Sequence, residues 1–266
     1  MPKTLINFAH ANGFPAGSYQ TLFNYLPKTF QVVALDKYGH DEKYPVEDNW
    51  QPLVDEMINF VLKQLTAYKQ TQVITVGHSF GGVIAFIAAC QRPELFKGLI
   101  MIDPPVVTGS TALAMKFVKK TRLIDKFSPA GKAKNRRTHW PLETDVSKLF
   151  SQKKLFKNFD KRCLDDYIKH GIIERNEQLE LAFSAQVETE IFRHLAENLS
   201  SYKNKLTVPT TLIYAEQSDV FPYRYFNKFT KLNKKIELIT TQGSHMFPLE
   251  KPEETANLIK KIALNF

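Results

Sequence analysis

Apolar positions fall into unbroken runs near the start of the chain and into spaced sets later. "TLINFAHA", "FQVVALD", "TQVITVG" and "FKGLIMIDPP" each hold several adjacent apolar, often β-branched residues. Such runs predict strands buried on both faces of a parallel sheet. Between them "GSYQTLFNYL", "WQPLVDEMINFVLKQL" and "GGVIAFIAAC" carry apolar residues at helical spacing. After the prolines at 104 and 105 the rhythm changes. From 106 to 206 there is helical periodicity and no convincing strand; "AMKFVKKTRLIDKF", "TDVSKLFSQKKLF", "DKRCLDDYIKHGI" and "ETEIFRHLAENL" are its candidate helices. "VPTTLIYAEQSD" and "KKIELITTQGSH" then restore the strand pattern, and "PEETANLIKKIALNF" predicts a closing helix. Alternating strands and helices imply an α/β fold with a mostly parallel sheet of about six strands. The expected organisation is a core of residues 1–105 and 207–266, with an all-helical cap at 106–206 inserted between its parts.

One junction carries chemistry. In "VITVGHSFGG" a buried strand runs into a helix, and Ser79 sits on the turn between glycines. Gly77-His78-Ser79-Phe80-Gly81 fits G-x-S-x-G, the nucleophile elbow. The turn exposes the serine, and the next residue, Phe80, offers a backbone N–H at a helix N-terminus to a developing oxyanion. A serine nucleophile needs a base. His245 follows the last strand, at the carboxyl edge where open α/β sheets collect their functional groups. His78 adjoins the nucleophile, but consecutive side chains diverge there, so packing is expected of it. His10 and His40 also follow strands and are expected to line the site. The base in turn needs an orienting carboxylate. Asp103 and Asp219 both end strands, and both keep the chain order Ser…Asp…His.

Composition narrows the function. The 266 residues suffice for a sizeable core, and the net charge is +9. No zinc-finger, RNA-binding or heptad pattern accompanies that charge, so no nucleic-acid partner is expected. No apolar run is long enough for a transmembrane segment, and "MPKTLINFAHA" is too short in its apolar part for a signal peptide. Cys90 and Cys163 make neither a disulfide framework nor a metal set. A cytoplasmic protein without metal or cofactor is expected. Basic residues crowd positions 116–137, with Asp125 the only acid among them. They imply a solvated face, or a rim with weak attraction for anionic substrates or a lipid surface. Interleaved and following aromatics, Trp140 among them, are expected in part to line an acyl pocket.

"FAHANGFPAGSY", "ALDKYGHDEK", "VGHSFGG", "LIYAEQSD" and "GSHMFPLEKPEE" together resemble the α/β-hydrolase superfamily over nearly the whole core. The region 106–206 is similar to a serine esterase/lipase-like subgroup with a helical cap. The resemblance implies the α/β-hydrolase fold, here lacking the usual N-terminal antiparallel strands. It places the acid at Asp219 and the base at His245. It matches "HANGFP" to the oxyanion loop, with Phe14 as the second N–H donor and Asn12 as its competitor. The implied activity is hydrolysis of a carboxylic ester or thioester of a small or medium apolar acyl group through Ser79, His245 and Asp219. Acyl transfer uses the same groups. The alternative is a non-catalytic or slow-turnover small-molecule receptor on the same fold.

Overall fold

In the computed structural model, which describes residues 3–121 and 123–266, the strands in chain order are β1 (Thr4–Ala9), β2 (Phe30–Ala34), β3 (Val73–His78), β4 (Phe96–Ile102), β5 (His139–Pro141), β6 (Ile172–Arg175), β7 (Gln178–Leu181), β8 (Thr210–Ala215) and β9 (Ile236–Thr241). Six of them form one sheet in the order β2-β1-β3-β4-β8-β9, every neighbouring pair parallel. The six-stranded parallel sheet matches the expectation from the alternating runs. Because all six strands run the same way, their carboxyl ends share one edge. His10, Ser79, Asp103 and the loop after β9 therefore meet there.

The helices are α1 (Gln20–Tyr25), α2 (Gln51–Tyr68), α3 (Phe80–Gln91), α4 (Gly109–Lys119), α5 (Ile124–Phe127), α6 (Ala130–Lys134), α7 (Val146–Ser151), α8 (Lys161–Gly171), α9 (Ala185–Arg193), α10 (Tyr223–Leu232), α11 (Phe247–Glu250) and α12 (Pro252–Ala263). Strand side chains alternate between two layers of core. Leu99 and Met101 join α2, α3 and α10, whereas Ile100 and Ile102 join α12 and residues of the inserted segment. Both faces of the central strands are thus covered, which is why they read as unbroken apolar runs. α3 is buried from Phe80 to Ala89. At about 1.5–3 kcal/mol for each large apolar side chain removed from water, Val83, Ile84, Phe86 and Ile87 hold this helix firmly under the elbow.

The segment between β4 and β8 is not all-helical. β5, β7 and β6 form a three-stranded antiparallel sheet. Its hairpin turns at Asn176 and Glu177, both at positive φ (51° and 58°). A two-residue turn of that hand is ordinarily marked by Asn-Gly. With Glu in the second place, and charged residues filling "ERNE", the usual signal is weak, and a three-residue β5 has almost none. The basic run also departs from a purely solvated face. The Lys119 ammonium is buried between Glu197 and Asp48, and Arg136 pairs with Glu188 at 2.6 Å. Arg122, another member of that run, lies outside the described residues.

Candidate active site

Ser79 occupies the junction of β3 and α3 at φ 54°, ψ −121°, a strained backbone for a residue with a side chain. Its neighbours explain how the strain is accommodated. A Cβ added at Gly77 would lie 2.4 Å from the Gly81 carbonyl oxygen, and one at Gly81 would lie 2.2 Å from the Ala9 carbonyl oxygen. Only glycines let β3, α3 and the end of β1 approach this closely. The Ser79 N–H donates to the Ile102 carbonyl at 2.8 Å, tying the elbow to β4.

From Ser79 a chain of hydrogen bonds runs into the core. Ser79 Oγ lies 3.0 Å from His245 Nε2, and His245 Nδ1 lies 2.6 Å from Asp103 Oδ2. A carboxylate oxygen accepts, so Nδ1 carries the proton and Nε2 is left to accept from the serine hydroxyl. His245 retains slight solvent access, and Asp103 is fully buried. Asp103 stands immediately after β4 at φ 42°, and its carboxylate also accepts from the Ser218 hydroxyl at 2.5 Å and the Ala215 N–H at 3.2 Å.

The carboxylate beside His245 is therefore Asp103 and not Asp219. Asp219 stands four residues beyond β8, where the chain has left the sheet, and is exposed. The "EQSD" loop does reach the site, but through Ser218, which donates to Asp103.

The 10–14 loop, expected to receive an oxyanion, also departs from expectation. The Phe14 N–H is consumed by the Ala11 carbonyl at 3.1 Å. The Phe14 ring joins an aromatic cluster with Tyr167 and Phe156 at 5.2 and 6.1 Å between centroids. Phe14 is thus a packing residue that anchors the inserted segment onto the loop. The Ala11 carbonyl accepts a second bond from His10 Nδ1 at 2.8 Å, because His10 Nε2 accepts the Tyr38 N–H at 3.1 Å. Burial drives His10 down to about 4, so it is neutral and supplies one donor. In a trans peptide the N–H points opposite to the C=O. Holding the Ala11 carbonyl thus fixes the direction of the Asn12 N–H. Asn12 itself is buried, its Nδ2 donating to the Glu188 carbonyl of α9 at 2.9 Å. Phe80, the first residue of α3, keeps a backbone N–H with no acceptor within its helix.

Other sequence candidates fall elsewhere. His78 is fully buried beside the base loop, bonded to Tyr19 and to the His245 carbonyl. Trp140 on β5 packs against Phe150 at 5.6 Å, within the core of the inserted segment. His40 Nε2 accepts the Ser184 N–H at 3.0 Å, joining the loop after β2 to that segment. Tyr19, Ser218 and Glu188 carry no sequence signal of a role here, since each gains its place only when separate loops converge.

Known proteins resemble this chain. A family model described as alpha/beta hydrolase fold matches residues 11–252. The monoglyceride lipase of Rattus norvegicus is 30% identical over 132 residues, a match spanning 48% of this chain and 44% of the lipase. A monoglyceride lipase homolog of Monkeypox virus is 23% identical over 98% of this chain and 88% of its own length. The peroxisomal alpha-beta-hydrolase of Saccharomyces cerevisiae superposes with a TM-score of 0.82 at 18% identity, covering 100% of this chain and 78% of its own. With the family model spanning the elbow, Asp103 and the His245 loop, the chain belongs to the alpha/beta hydrolase fold family.

Proposed function

We propose that the protein is a serine hydrolase that cleaves a carboxylic ester or thioester of a small or medium apolar acyl group. The observation that carries this is the unbroken path from Ser79 Oγ through His245 to buried Asp103. Ser79 attacks the acyl carbonyl while His245 Nε2 takes its proton. Asp103 holds the imidazole in the accepting tautomer and stabilises the imidazolium. The Phe80 and Asn12 N–H groups receive the oxyanion, each worth on the order of 3 kcal/mol in the transition state. His245 returns its proton to the departing alcohol or thiol, and water then releases the acyl group by the same steps.

Family membership and lipase-named relatives support a hydrolase. The lipase-named relatives support an apolar acyl group. The open groove of about 670 Å³ beside Trp140 and Gln178 contains none of the reacting residues. We assign residues 106–206 as the cap. Its α4 and α5 present Leu113, Phe117 and Phe127 at 59%, 64% and 71% exposure, beside exposed Lys116, Lys120 and Lys126. Apolar residues rimmed by cations suit an anionic lipid surface that delivers an amphiphilic ester.

A panel of p-nitrophenyl esters and acyl thioesters of graded chain length tests the reading. Turnover confined to apolar acyl groups and abolished in Ser79→Ala supports it; a well-folded wild type inert toward the whole panel overturns it.

A further inference from the structure

The residue before the nucleophile occupies a hydrogen-bonded path that the reaction itself does not use. His78 Nε2 lies 3.0 Å from the His245 carbonyl oxygen, and His78 Nδ1 lies 2.7 Å from the Tyr19 hydroxyl. The Tyr19 hydroxyl in turn accepts the Ala11 N–H at 3.2 Å. Tyr19 and His78 are both fully buried.

The directions of these bonds follow from chemistry. A backbone carbonyl only accepts, so His78 Nε2 must carry a proton. Burial holds His78 well below its ordinary value, so the ring is neutral and Nδ1 is a bare acceptor. The Tyr19 O–H therefore donates to Nδ1, and its oxygen remains free to accept from Ala11. Burial also keeps Tyr19 protonated. Each bond of the path therefore has a single sense: Ala11 N–H to the Tyr19 oxygen, Tyr19 O–H to His78 Nδ1, and His78 Nε2–H to the His245 carbonyl.

Its two ends are the parts that must agree for Ser79 to act. One end is Ala11, where Tyr19 holds the N–H of the peptide before its Cα while His10 and Phe14 hold the carbonyl of the peptide after it, so both planes are set and the Asn12 N–H, which shares the second, has one orientation. The other is the backbone of His245, whose ring must stay 3.0 Å from Ser79 Oγ. We propose that Tyr19 and His78 are positioning residues, a buried relay that locks the oxyanion loop and the base loop into one register around the nucleophile. The relay rests on the serine-hydrolase reading for its purpose but not for its geometry.

Tyr19→Phe removes one oxygen and leaves the ring packed against Phe8 at 4.7 Å, so the fold is retained. We expect kcat to fall about 10- to 100-fold with KM changed less than about twofold, since the lost order concerns the transition state. His78→Gln, whose amide can still donate toward the His245 carbonyl, should keep more kcat than His78→Leu. The Tyr19→Phe, His78→Leu double variant should be no slower than its worse parent, because both break one path. Unchanged kcat in Tyr19→Phe, or losses that add in the double variant, overturn the relay. Imidazole ¹⁵N spectra give a readout independent of turnover: His78 must be protonated at Nε2, and its Nδ1 resonance must move in Tyr19→Phe. A proton on Nδ1 overturns the relay even if every ester is hydrolysed. An inert wild type with the expected spectra defeats the hydrolase reading and leaves the relay's geometry standing.

Discussion

Exchanging one buried oxygen for an amide separates Asp103 from Asp219. The Asp103 carboxylate accepts from His245 Nδ1, the Ser218 hydroxyl and the Ala215 N–H. Asp103→Asn preserves shape and keeps its one oxygen at the Oδ1 place, where the Ala215 N–H can only donate; the amide nitrogen then takes the Oδ2 place, facing both His245 Nδ1 and the Ser218 hydroxyl. Toward His245 it presents an N–H₂, which compels Nδ1 to accept and moves the imidazole proton to Nε2. Nε2 then faces Ser79 Oγ across 3.0 Å as a donor and cannot take the serine proton. A tautomer error of this kind costs about 10⁴ in kcat in the serine-protease template, or ~5.5 kcal/mol of barrier. Asp219 is exposed and has no hydrogen bond to His245, so Asp219→Asn should change kcat by less than about twofold, as surface substitutions do. Initial rates on a p-nitrophenyl ester, with thermal melts to establish folding, measure both. If Asp219→Asn falls 100-fold or more while Asp103→Asn keeps over a tenth of wild-type kcat, the assignment is wrong.

Further outcomes are expected. Gly81→Ala should destabilise the protein severely, since its Cβ would sit 2.2 Å from the Ala9 oxygen; a melting temperature close to wild type would contradict the packing at the elbow. Between about pH 4 and 6.5 the unfolded chain binds a proton at His10 that the folded chain refuses, so His10 stability is present above 6.5 and lost as pH falls, by on the order of 3 kcal/mol. Buried Glu56 acts in the opposite sense: burial, with Asp41 nearby, raises its carboxyl to about 7, so stability is lost as pH rises from 4.5 to 7. Glu56→Gln should therefore raise the melting temperature more at pH 8 than at pH 5, and equal effects would refute the raised carboxyl. Replacing Leu113, Phe117 and Phe127 together by Ser should weaken co-sedimentation with anionic vesicles and leave soluble short-chain ester turnover intact; undiminished sedimentation would remove the lipid surface from the proposal.

Position along the strands made much of this site legible. Ser79 and His245 each follow a strand of a parallel sheet, and parallel strands deliver their carboxyl ends to one edge whatever the loops do. The acid was not legible on that ground, because Asp103 and Asp219 both follow strands. What separates them is the chain path. Asp103 turns back at once at positive φ under the Ala215 N–H, whereas Asp219 is carried outward by the residues after β8. The Phe14 N–H is equally hidden from the sequence: the 11–14 turn consumes it at the Ala11 carbonyl, which His10 also holds. The β6–β7 hairpin carries little sequence signal, because its turn lacks the Gly that usually marks its hand.

Intact-mass and peptide mapping after reaction with a fluorophosphonate, with ester turnover followed in the same samples, tests the nucleophile most directly. We expect one adduct per chain, on Ser79, with activity lost in proportion to labelling and no rapid adduct in Ser79→Ala or His245→Ala. Stoichiometric labelling at another residue, or full turnover by protein already labelled at Ser79, would contradict the mechanism.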